Sequence, residues 1–206
     1  LHSDILKDVE LHDFYQLYPE RFNNKTNGIA DRRWLQIANE GLSNLIDEKI
    51  GKAWRHDLKE LEALKAFYED EATLKELLAV KFQNKKALAL LIKEKNGIEV
   101  NPDAIFDVQV KRLHAYKRQL LNLLHILKLY FDIKDQPDIE MVPRVFIFGA
   151  KAAPGYHYAK SIIKAINEIA DMINSDPVVK DRIKVIFMEN YNVSLAESII
   201  PAADVG

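Results

Sequence analysis

The 206 residues are 48% hydrophobic, enough for one large or two small domains with a real core. Basic and acidic residues nearly balance, 29 against 31 for a formal charge of -2, which argues against nucleic acid as a partner. Cysteine is absent, excluding disulfides and thiolate zinc sites, and no apolar run reaches the ~18 residues that cross a bilayer.

Residues 1 to about 100 read as helices joined by polar turns. Asn23-Asn24-Lys25-Thr26-Asn27-Gly28 is a polar loop ahead of Asp31-Arg32-Arg33-Trp34. Its plainer reading is a turn entering a helix, with Trp34 in the core. Residues 53–95 are rich in strong helix formers, and Leu61, Leu64, Phe67, Leu74, Leu77 and Leu78 recur at helical spacing. Asn96-Gly97 is the expected stop, and Asn101-Pro102 a turn before the register changes.

From Ile105 the pattern predicts strand, helix, strand, helix, strand. The expected strands are 105–110, 144–149 and 183–189. The expected helices are 113–131, with Leu120, Leu121, Leu124 and Leu127 at helical spacing, and about 155–174, with Ile162, Ile163, Ile166 and Ile169. Ser194 to Glu197 has a capping-box pattern that opens one more helix. Short apolar strands separated by helices indicate right-handed crossovers and a parallel sheet. The fold expected is α/β: a helical N-terminal half followed by half of a doubly wound, Rossmann-like parallel-sheet domain. Such sheets bind ligands at the carboxyl ends of their strands.

The first strand runs into Lys111-Arg112-Leu113-His114-Ala115-Tyr116-Lys117-Arg118, four permanent cations and a histidine. A solvated basic turn is the plainer reading. However, the cluster overlaps the expected start of the next helix, where each cation would cost roughly 0.3–1 kcal/mol against the helix dipole. A bound anion reverses that sign, because the helix terminus and the side chains then act on the same charge. This predicts an anion site. The second strand runs into Gly149-Ala150-Lys151-Ala152-Ala153-Pro154-Gly155-Tyr156-His157, which matches neither common glycine-rich phosphate fingerprint and reads equally well as an ordinary turn. The third runs into Glu189-Asn190-Tyr191-Asn192, by itself a weak signal. His2, His12, His56 and His125 have no metal-ligand spacing, and no metal site is expected.

Several strings are shared with a known family. Asn24-Lys-Thr-Asn-Gly28 with Arg32-Arg33-Trp34, Phe106 through Arg112, Tyr116 through Asn122, Lys151 through His157, and Val185 through Asp204 resemble the α-glucan phosphorylases in order and spacing. The resemblance covers essentially the whole chain and implies a doubly wound fold of the GT-B type. It implies residues 1–27 as the end of an N-terminal domain, 28–103 as the helical part of a C-terminal domain, and 104–206 as the first part of its Rossmann-like sheet.

It also implies retaining phosphorolysis of terminal α-1,4-glucosidic bonds to glucose 1-phosphate, with pyridoxal 5'-phosphate acting through its phosphate group. A phosphate with a pKa near ~6 suits proton exchange at neutral pH. By position, Arg112 and Lys117 match the residues that hold the substrate phosphate, Lys117 also lying near the cofactor phosphate. Lys111 matches a cofactor-phosphate contact and Tyr191 a tyrosine beside the cofactor. Asn27 and Tyr116 match groups that hydrogen-bond the glucosyl unit, and Tyr156 lies in a segment near the cleft entrance.

Ala115 stands where a glutamate is common and Asn192 where arginine is frequent, which puts one cofactor contact in doubt. The resemblance further implies a cytoplasmic homodimeric parent acting on α-glucan and orthophosphate. The lysine that anchors the cofactor is expected outside these 206 residues, and this stretch alone is expected to be inactive. Two alternatives remain at this point: a glycosyltransferase of the same fold using a nucleotide sugar, and a non-catalytic interaction module built on the amphipathic helices of 53–95.

Overall fold

A computed structural model describes residues 1–26, 28–179 and 182–206. The chain divides into two compact units, Leu1–Asp31 and Arg32–Gly206. In the first, α1 (His2–Ile5) continues through one π-helical turn toward α2 (His12–Leu17). The Tyr15 and Phe22 rings meet edge to face at 5.3 Å within this unit.

The second unit opens with a π-helical segment, Arg32–Ile37, followed by α3 (Glu40–Ile50). The helix-rich stretch expected over 53–95 is divided. A 3-10 turn at Ala53–Arg55 and a 3-10 segment at Leu58–Phe67 precede α4 (Glu71–Asn96). Two aspartates cause the breaks: Asp57 accepts the Lys59 N–H at 3.0 Å, and Asp70 accepts the Thr73 N–H at 2.8 Å. Such caps satisfy free backbone donors and start a new helix rather than extend the old one. The stop at Asn96-Gly97 is as expected, with Gly97 left-handed at φ 69°.

Three parallel strands follow in sheet order β1 (Ile105–Val110), β2 (Arg144–Gly149), β3 (Ile183–Phe187). Ile105 pairs with Arg144, and Arg144 with Ile183. The sheet is open. The crossovers are α5 (Gln119–Asp135) and α6 (His157–Ser175), and α7 (Val193–Ile199) comes after β3. In β2, Phe146 and Phe148 enter the core shared with α5 and α6, while Val145 and Ile147 enter the one shared with α4 and α7. Four consecutive apolar residues are what a parallel strand covered on both faces requires.

Three local expectations are corrected. Helix α5 starts at Gln119, not 113, because Leu113 is buried in the sheet core and Arg118, left-handed at φ 59°, caps the helix. Its buried stripe is Leu123, Ile126, Tyr130 and Ile133, whereas Leu120, Leu121 and Leu124 are exposed; the helix is apolar around most of its circumference, so spacing alone could not choose the face. Finally, α7 is capped by Asn192, whose Oδ1 accepts the Leu195 N–H at 3.0 Å, and not by Ser194.

Residues 204 and 205 run beside β1 on the side away from β2. Val108 donates to the Val205 carbonyl at 2.8 Å, and Asp204 donates to the Phe106 carbonyl at 2.9 Å. Lys85, only 8% exposed, locks this corner by donating to both the Ala104 carbonyl and Asp204 Oδ2 at 2.7 Å. Among the described residues no helix is long and apolar enough to cross a membrane.

Candidate functional site at the carboxyl edge of the sheet

The β1–β2 ladder continues past the end of β1. Lys111 donates to the Gly149 carbonyl at 3.0 Å and Leu113 to the Lys151 carbonyl at 3.1 Å. Side chains alternate along extended backbone. Phe106 and Val108 belong to the α4/α7 face, so Arg112, in phase with them, comes out on that side. Leu113, out of phase, is buried against α5 and α6.

Arg112 thereby reaches an open cleft of about 390 Å³ that it lines with Trp34, Lys151, Tyr191, Asn192, Val193 and Ala196. All three strand ends contribute: Arg112 follows β1, Lys151 follows β2, and Tyr191 with Asn192 follows β3. The Tyr191 ring lies against Gly149, where an added Cβ would stand 3.2 Å from the ring and 2.9 Å from Val110 Cγ1. Gly149 therefore has to be glycine for the ring to pack as it does. Burial pushes the Tyr191 hydroxyl above its ordinary pKa, keeping it protonated as a donor at neutral pH.

The remainder of the cationic loop forms a second arrangement. A 3-10 turn at Ala115–Lys117 precedes the left-handed Arg118, so all four cations lie ahead of α5 and not in its first turn, as sequence spacing had predicted. His114 stacks within 4.4 Å of Tyr116 and 5.3 Å of Tyr156. Tyr116 is 70% exposed, and Lys117 Nζ lies 5.7 Å from its ring centroid. Tyr116, Lys117 and Lys111 do not line the Arg112 cleft. Asn27 lies outside the described residues. Lys151 and Trp34 are additions: the turn carrying Lys151 read as ordinary, and Trp34 read as core although it is only half-buried and lines the cleft. Extending the strand ladder by two residues is the signal that would have found Lys151.

Among the described residues, none of Lys111, Arg112, Lys117, Arg118 and Lys151 forms an ion pair with an acidic side chain. Five cations left without counter-ions at one sheet edge repel each other, and an anion relieves that repulsion.

The model of the carbohydrate phosphorylase family matches residues 1–206. The chain belongs to that family. Glycogen phosphorylase of Bacillus subtilis (strain 168) is 55% identical over 205 residues, 100% of this chain and 26% of that protein. The muscle form of Oryctolagus cuniculus is 52% identical over 204 residues, covering 99% of this chain and 24% of its own length. The muscle form of Homo sapiens is 50% identical over the same length, with the same coverage. This phosphorylase chain therefore spans about a quarter of the length of these relatives. Arg112 and Tyr191, two of the residues singled out by resemblance, share one cleft within it.

Proposed function

We propose that this chain is the phosphate-handling portion of an α-glucan phosphorylase, which cleaves terminal α-1,4-glucosidic bonds with orthophosphate to give glucose 1-phosphate. The observation that carries the reading is the unpaired cationic edge, with Arg112 and Lys151 on one cleft wall, in a chain of the phosphorylase family. Arg112 and Lys117 hold the incoming phosphate; their fixed positive charge offsets the negative charge gathered at the reacting centre. Lys151 adds a third cation on the Arg112 side. Tyr116 and Asn27 orient the glucosyl unit. Residues 1–27 close an N-terminal domain, and the sheet from residue 104 belongs to the C-terminal one.

The residues present fit pyridoxal 5'-phosphate. Unpaired Lys111 and Lys117 are the donors a phosphate ester needs, and the protonated Tyr191 hydroxyl borders the same edge. When bound, the cofactor supplies a phosphate group able to give and take a proton near neutral pH. Lys111 and Lys117 would hold that phosphate, and the half-buried Tyr191 would limit water at the cleft. The natural setting is a cytoplasmic homodimer that acts on α-glucan and orthophosphate.

Replacing Arg112 with alanine in the phosphorylase polypeptide carrying this chain is expected to lower the phosphorolysis rate by at least ~10²-fold, through lost charge stabilisation. Steady-state release of glucose 1-phosphate measures it, and a near-normal rate would refute the role given to Arg112.

A further inference from the structure

A loop carrying Lys111, Arg112, Lys117 and Arg118 with no acidic partner needs some other restraint to hold its shape. Neutral amides supply it. Gln119 Nε2 donates to the Arg112 carbonyl at 3.2 Å, at one end of the loop. At the other end Gln109 Nε2 donates to the Lys117 carbonyl at 3.2 Å, and Asn122 Nδ2 steadies Gln109 by donating to its Oε1 at 3.0 Å. Ionised carboxylates could not donate to these carbonyls and would compete with phosphate for the same cations. Amides hold the backbone and leave every positive charge free.

We infer that Gln119 is a positioning residue, which sets the direction of Arg112 by fixing the peptide group between Arg112 and Leu113. The inference rests on the phosphate-handling function proposed above. That peptide group is held at both ends: Gln119 takes its carbonyl, and its N–H, that of Leu113, donates to the Lys151 carbonyl at 3.1 Å. One peptide plane is thus tied to both cations of the cleft wall. Gln119 is only 1% exposed, and its Oε1 has no hydrogen-bond partner among the described residues. Flipping the amide would set two oxygens against each other at Arg112, so the donor has to face the carbonyl. An enclosed oxygen without a partner weakens the fold, and leucine would fill the same space without one. What the amide adds over leucine is its grip on the Arg112 carbonyl.

The test is steady-state kinetics of the phosphorylase polypeptide carrying this chain, as wild type, Gln119→Leu and Gln119→Glu. Losing one hydrogen bond that orients a charged ligand-binding side chain is worth about tenfold. Gln119→Leu is expected to raise the KM for phosphate about tenfold while the KM for glucan stays within about twofold. Gln119→Glu supplies a signature that damaged packing cannot. Its protonated acid can donate to the Arg112 carbonyl, whereas its ionised form repels that carbonyl and neutralises the loop. Its phosphate affinity relative to wild type is therefore expected to fall as pH rises through the new carboxyl's titration.

An unchanged phosphate KM in Gln119→Leu, or an equal rise in both KM values with no pH signature in Gln119→Glu, overturns the inference. The functional reading is judged separately by whether the wild type consumes phosphate at all. Even without turnover, the rise in melting temperature caused by added phosphate decides the positioning role: a smaller rise in Gln119→Leu supports it, and an equal one overturns it.

Discussion

Two regions of the molecule treat positive charge in opposite ways. Around the helices, several cations are neutralised. Arg55 grips Asp47 with two hydrogen bonds of 2.9 Å, Lys49 reaches Glu76 at 2.7 Å, and Lys85 reaches Asp204 at 2.7 Å. At the carboxyl edge of the sheet, Lys111, Arg112, Lys117, Arg118 and Lys151 are left unpaired among the described residues, held in place through their backbone. Paired cations hold the fold together. Unpaired ones raise the free energy of the empty edge, and an anionic ligand recovers that cost. Substitutions in the two regions should therefore fall on different observables.

The largest expected effect on stability is at Lys85. Removing it leaves the carbonyl of buried Ala104 without its donor and empties a buried side-chain site, so Lys85→Ala is expected to destabilise by about 3 kcal/mol in denaturant unfolding. Next is Gly149→Ala, whose new methyl meets Val110 and the Tyr191 ring; the overpacking costs about 2 kcal/mol and displaces a cleft residue as well. By contrast, Arg112→Ala should change stability by less than about 0.5 kcal/mol, as for an unpaired residue at an open cleft. A large loss of stability there would break the comparison.

The smallest effect is a pH dependence at Asp176. Lys134 first of all, then the Val178 N–H and the Tyr130 hydroxyl, hold its carboxyl at about 2 instead of 3.8. A depressed carboxyl stabilises the fold above its ordinary value, and that contribution is lost as pH falls toward the folded one. The melting temperature is therefore expected to drop between pH 3.8 and about 2, and Asp176→Asn should make that drop shallower. Thermal melts across this range check it.

Much of this organisation was legible in the sequence, for reasons that differ from element to element. Strands β1 and β2 were readable to the residue because short apolar runs bounded by polar turns have few alternatives. Gly97 ended α4 as expected because only a left-handed residue serves there. The start of α5 was misread because Leu113 continues an apolar helical pattern, yet it is spent as an extension of the sheet. The break at residues 56–57 was hidden because Asp57 acts through a local cap that composition does not reveal.

At the site, the cationic string follows the first strand as expected, and Arg112 and Tyr191, which resemblance selected, line one cleft. That Arg112 faces the cleft depends on how the chain continues beyond β1, which required the ladder to be seen. Lys151 follows only once the ladder is extended past β1, and Trp34 joins from a segment far away in sequence that no local pattern announces.

The central claim is that the unpaired positive edge exists to hold phosphate. The direct measurement is a crystal structure of the phosphorylase polypeptide carrying this chain, soaked with phosphate or sulfate. An anion bound beside Arg112 and Lys117 is the predicted result. Well-ordered anions elsewhere, with that edge left bare, would contradict it.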